Sequence, residues 1–147
     1  MPQINKPTDY FNTVLYTGNG STQSITGVGF QPDLTYIKAR SFSSNHQFVD
    51  SVRGATKAIL ADLTSAEQTY SNGLTSFDSD GFSLGDLTGY NYLDGTFASW
   101  NWLAGGTASS NTDGTITSSV SANTTAGFSI VSYTGTGANA TVGHGLG

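Results

Sequence analysis

Short runs of alternating large and small residues, each cut off by glycine, asparagine or aspartate within one strand's length, leave this chain little alternative to β-structure. Tyr10 to Tyr16 is broken by Thr17-Gly-Asn-Gly20, where Asn-Gly is a hairpin signal. Thr22 to Thr26 ends in Gly27-Val-Gly-Phe30, and Leu34 to Arg40 follows a Pro32-Asp33 turn. His46 to Asp50 and Thr56 to Ala61 are joined through Arg53-Gly54, and Asp78-Ser-Asp-Gly81 separates Leu74 to Phe77 from Phe82 to Leu84. Residues 62–72 have weak helical periodicity and read as a loop. Thr96 to Leu103 alternates cleanly, placing Trp100 and Trp102 on one face. About eight strands result, enough for an antiparallel, jelly-roll-like β-sandwich filled by inward aromatics. Either Phe97 or, with a shift, the two tryptophans can face that core, and Leu34, Tyr36 and Ala39 compete in the same way.

Composition bounds what such a fold can do. Only 10% of residues are charged and the net charge is −5, so binding to a phosphate backbone, which needs clustered Lys and Arg, is not expected. Four of the five basic residues lie between Lys38 and Lys57 and read as ordinary solvated charge. With no cysteine there is neither a disulfide framework nor a thiolate metal site. Residues 1–9 lack the apolar core of a signal peptide, and no stretch approaches the roughly 20 apolar residues that span a bilayer, so ordinary secretion and membrane insertion are not expected.

The chain divides, on this reading, into a polar extended arm (1–9), a sandwich (10–105), a flexible Gly/Ser/Thr-rich linker (106–126), in which Thr115 to Val120 after the Asp113-Gly114 turn could add one exposed strand, and the opening strands of a second, similar unit (127–147). The last division rests on a repeat. Tyr133-Thr-Gly-Thr-Gly137 matches Tyr16-Thr-Gly-Asn-Gly20, Phe128 answers Phe11, and Gly143-His-Gly-Leu146 answers Gly27-Val-Gly-Phe30. Two strands alone are marginal in water, so residues 127–147 are expected to pair with the first unit or with another chain.

Chemistry-bearing patterns are sparse. Asp78-Ser-Asp-Gly81 starts like a calcium loop but lacks the further oxygens and closing Glu, so a hairpin turn is the better reading. His46 and His144 stand apart, which gives no zinc site, and no Gly-x-Ser-x-Gly elbow frames a nucleophile for His46 and Asp50. Asp50, Asp62 and Asp94 could pair for glycoside cleavage only if two of them faced one groove. No catalytic, cofactor or metal residues are therefore assigned. The best cluster for polar ligand contact is Tyr90, Asn91, Tyr92 and Asp94, a loop suited to a glycan.

Several segments resemble a family of tailed-bacteriophage virion proteins. They are Ile4-Asn-Lys-Pro-Thr-Asp-Tyr-Phe-Asn-Thr13, Leu15-Tyr-Thr-Gly-Asn-Gly20, Gly27-Val-Gly-Phe-Gln-Pro-Asp33, Asp50-Ser-Val-Arg-Gly-Ala-Thr-Lys57, Phe77-Asp-Ser-Asp-Gly-Phe82 and Ala98-Ser-Trp-Asn-Trp-Leu-Ala-Gly-Gly106. The resemblance implies tail-fibre and other structural proteins that carry a β-rich domain in tandem, with no catalytic residues to transfer. It implies a virion component, assembled in the host cytoplasm and released by lysis, with tail or capsid proteins as partners and a homotrimer as the favoured oligomer. Within the arm, Ile4, Lys6 and Asp9 are the candidate anchor to the particle. Two alternatives stand beside the tail-fibre reading: a module that binds host-surface glycans, and a capsid decoration or head-fibre protein.

Overall fold

The computed structural model describes residues 4–147. Its largest sheet has six strands in the order β1 (Phe11–Thr17), β9 (Thr96–Trp102), β3 (Leu34–Ala39), β4 (Gln47–Asp50), β5 (Lys57–Leu60) and β6 (Gln68–Thr69). Against one face lies a three-stranded sheet of β2 (Gln23–Ile25), β8 (Gly81–Leu84) and β7 (Leu74–Asp78), and a third sheet joins β10 (Ser109–Asn111), β11 (Ser118–Asn123) and β12 (Phe128–Ser132). All strand pairs are antiparallel. The fold is an all-β sandwich, as the alternation predicts.

The core lies between the first two sheets. Ile37, Ala39, Val49, Ala58 and Phe97 project from the large sheet, Ile25, Leu74, Phe82 and Leu84 from the smaller one, and Tyr90 of the short helix α1 (Thr88–Asn91) closes one end. Period-two alternation in β3 is what delivers Ile37 and Ala39 inward while Tyr36 and Lys38 point out. Central β9 pairs on both edges: Phe97 lies between Tyr16 and Ala39, Ser99 between Val14 and Ile37, and Asn101 between Asn12 and Thr35. The inward row of β9 is thus Phe97, Ser99 and Asn101, all fully buried. Trp100 and Trp102 share a face, as expected, but it is the outer one. Three polar bonds make this register tolerable: Thr35 Oγ1 donates to Asn101 Oδ1 (3.0 Å), and Asn101 Nδ2 donates to Asn12 O (3.2 Å) and Ser99 Oγ (3.1 Å).

Three expectations need correction. Asn19-Gly20 makes no hairpin, because β1 pairs with β9 and β2 with β8; the turn carries the chain from one layer to the other. By contrast Asp78 and Gly81 do close the β7–β8 hairpin. Residues 106–126 are not a flexible linker, since β10 and β11 lie within them and β11 pairs with β12 over five residues from Ser119↔Ser132 to Asn123↔Phe128. Val120 and Ile116 are buried there, and Ser118 and Ser121 with them, so small polar residues form the strands that few apolar ones anchor. The expected arm, 1–9, lies partly outside the described residues; within them Pro7–Asp9 forms a 3-10 turn rather than extended chain. Proline at its first position favours that turn, and Lys6 Nζ bonds Asp9 Oδ1 at 2.7 Å across it.

The third sheet is pinned by one buried carboxylate. Asp33, at the turn before β3, accepts from Ser51 Oγ (2.9 Å) and from the Ala104 and Gly106 amides (2.9 and 3.2 Å), which fixes the path out of β9. Ser121 Oγ accepts from the Gly105 amide and donates to Gly106 O, and Phe128 stacks on Trp102 with centroids 6.2 Å apart. Residues 127–147 therefore pair with this same chain, through β11 and through a bridge from Val142 to Ile116.

Candidate functional site

The loop expected to present Tyr90, Asn91, Tyr92 and Asp94 to a ligand is divided by the fold. Tyr90 is 1% exposed, its ring edge-on to Tyr70 and packed over Gly73, and burial pushes its phenol far above the usual tyrosine range. Asn91 is wholly buried: its Oδ1 accepts from the Asn19 amide (2.9 Å), and its Nδ2 faces Gly85 O, Asn19 Oδ1 and Ser21 O. Asp94 is exposed, with left-handed backbone (φ 61°) and an amide that donates to Gly18 O at 3.0 Å. Tyr92 alone offers an aromatic ring to solvent, tilted against Phe42. Most of this cluster is spent holding Tyr16-Thr-Gly-Asn-Gly20, so it cannot act as one glycan surface.

The acidic residues are likewise committed to structure. Asp50 forms a buried pair with Arg53 (2.6 Å to Nε) and caps its amide, while Arg53 also reaches Glu67 (3.0 Å) and Phe48 O. Asp62 accepts from the His46 amide, which holds its carboxyl below the usual carboxylate range. Asp80 accepts from the Gly27 and Gly29 amides (3.0 and 2.6 Å), and those two bonds depress its carboxyl too. Asp78 takes the Ser76 and Ser83 hydroxyls. His46 Nδ1 bonds the Tyr36 hydroxyl (2.6 Å) rather than any serine. Among the described residues no three His, Asp or Glu side chains gather as a metal site would require. Of the candidate anchor, Lys6 and Asp9 neutralise each other at the surface, and Ile4 borders a groove lined by Phe11, Trp102 and Phe128.

What the sequence reading missed is an aromatic row on the outer face of the large sheet. The register sets Thr13, Trp100, Tyr36, Phe48 and Ile59 side by side across five strands. Tyr36 lies in the middle, 5.2 Å from Trp100 and 4.6 Å from Phe48, centroid to centroid, with all three rings half-buried. Ile59 (44% exposed) ends the row, and Leu15 (61%) lies beside it. Burial, and secondarily Asp62, raises the Tyr36 phenol. Half of the signal was present in the sequence, because Trp100, Tyr36 and Phe48 alternate with Ser99, Ile37 and Val49, but which parity faces out is set by the second sheet.

One family match covers residues 6–147. The chain belongs to DUF7483, a domain of unknown function. In this DUF7483 chain the match runs unbroken over the sandwich, the third sheet and both copies of the Tyr-Thr-Gly-x-Gly element. No curated protein and no solved structure matches it.

Proposed function

We propose that this chain is a structural, non-catalytic component of a bacteriophage particle, the virion-attaching part of a tail fibre or similar appendage. The observation that carries the reading is how the polar chemistry is used. Asp33, Asp50, Asp78, Asp80, Asn91 and Asn101 each hold backbone amides, serine or asparagine side chains, or a paired arginine, so the groups an enzyme would spend on a substrate are spent on the scaffold. The phage assignment itself comes from the segment resemblance. In this reading the partners are tail or capsid proteins and sister copies in a trimer, and the location is the virion.

The test is deletion of residues 1–9 in the producing phage, followed by mass spectrometry of purified particles. Loss of the protein from particles supports attachment through this end, and particles that retain it refute that claim. Imaging the particle separates a tail appendage from a capsid decoration.

A second reading, recognition of a host glycan, gains support from a surface other than the one expected. Trp100, Tyr36 and Phe48 form a stacking row, with the Tyr36 hydroxyl and His46 ring at its side. Glycan-array binding that Trp100→Ala abolishes would favour it, and silence on the array would remove it.

A further inference from the structure

The two copies of the repeated element have contrasting surroundings. In the first, Tyr16 stacks on Phe97 (5.0 Å, 7° between planes) and donates its hydroxyl to Tyr90 O at 2.8 Å. Gly18 donates to Gly95 O (2.8 Å), and a Cβ on it would collide with the Tyr92 carbonyl. Gly20 donates to Asn91 O (3.0 Å), and a Cβ there would press on Leu93 at 3.2 Å. The glycines are thus required by the loop that lies on them. The paired Gly27-Val-Gly element is held by the Asp80 carboxylate, with Val28 fully buried beneath.

In the second copy, Tyr133–Gly137 keeps the residues and lacks the surroundings. Tyr133 is 58% exposed. A Cβ on Gly135 or on Gly137 would meet nothing within 4 Å. His144, in the place of Val28, is exposed, while Gly143 is buried against Asn111 and Asp113 and Gly145 lies against Val120 and Ala122, so that end of the second copy is already covered by this chain. A tyrosine and two glycines suited to close backbone approach are therefore presented with no backbone against them.

We infer that Tyr133–Gly137 is a socket for a further unit of this same fold, one that lacks its own first two strands. The first copy specifies what fills it: a strand and loop built like Tyr90–Trp102, whose aromatic ring covers Tyr133 and whose carbonyls lie over Gly135. An intact second copy of this chain cannot serve, because its β9 is already paired on both edges and its Phe97 is already covered by Tyr16. This holds whether or not the chain belongs to a virion.

Gly147 occupies the place of Gln31, so the test appends a second Pro32–Gly105 directly behind it. Two readouts are taken: nitration of Tyr133 by tetranitromethane, located by peptide mass spectrometry, and thermal unfolding. The extended chain is expected to nitrate Tyr133 about tenfold more slowly than the 147-residue chain, as a residue protected by folded structure does. Gly135→Val should leave the 147-residue chain unchanged and remove the added unfolding transition of the extended one. Equal nitration in both chains, or an appended segment that stays unfolded, overturns the inference. So does concentration-dependent protection of Tyr133 in the unextended chain, which would assign the socket to a second copy.

Discussion

The two faces of the six-stranded sheet invert the usual assignment of residues. Along the middle of the inner face run Thr35, Asn101 and Ser99, none of them apolar and all of them inaccessible to water. Along the outer face at the same strands run Tyr36, Trp100 and Trp102, all partly exposed. Burial here is decided by what stands opposite. The inner face meets the second sheet, where Phe82, Leu84 and Leu74 supply the apolar volume, so polar side chains are admitted because they satisfy one another. The outer face is covered less: Phe128 of the third sheet stacks on Trp102, and Ile59 shares a cleft with Ile130, Val131 and Tyr133. A side chain's size fixes how much it gains from burial, but the topology decides whether that burial is available.

This contrast can be broken by mutation. Asn101→Ala would leave Thr35 Oγ1 without its partner in the interior, and should cost about 2–3 kcal/mol, read from denaturant unfolding. If it proves neutral, the inner polar row contributes nothing. Trp100→Leu keeps much of the apolar area of the outer row and removes the ring pairing with Tyr36, and should cost only about 1 kcal/mol, the scale of an aromatic contact beyond its buried area. A larger loss for Trp100 than for Asn101 would show that the outer face is covered in solution.

The smallest effect is a pH dependence. Burial raises the phenols of both Tyr16, on the inner face, and Tyr36, on the outer, and raises Tyr16 more strongly. A raised value in the folded state means that the native protein keeps the proton longer than the unfolded chain. The stability is therefore complete below the unfolded value near pH 10, and is lost as pH rises from there toward the folded values. Tyr16→Phe should flatten this alkaline decline more than Tyr36→Phe does, as followed by unfolding midpoints across that range.

Strand positions were legible because turn residues and period two are local properties. Tyr10 to Tyr16 and Thr96 to Leu103 match β1 and β9 closely. Which face of β9 is buried was not legible, since Phe97 and Trp100 are both large and only the opposing sheet distinguishes them. Ser109–Asn111 looked like linker, and of β11 only the part up to Val120 suggested a strand, because their side chains carry almost no apolar volume and their order comes from pairing and from Asp33. The loop at Tyr90–Asp94 is the cluster the sequence offers for ligand contact, and the fold spends most of its polar groups on packing. Its Asn91 side chain is turned inward by bonds to Asn19, some seventy positions away, and a local reading contains no trace of them.

The pairing of β1 with β9 also has a mechanical side. Phe11 lies opposite Trp102, and the Leu103 amide donates to Tyr10 O at 2.8 Å, so the polypeptide arrives at and departs from the sandwich at one point. The sandwich is in effect a side branch on a through-going thread. Tension along that thread loads the Asp33 bonds to the Gly106 and Ala104 amides and the Tyr10–Leu103 clasp, and then the Phe11–Trp102 rung, parting the two strands one rung at a time instead of shearing seven together. While the clasp holds, a pull passes by the sandwich without stretching it.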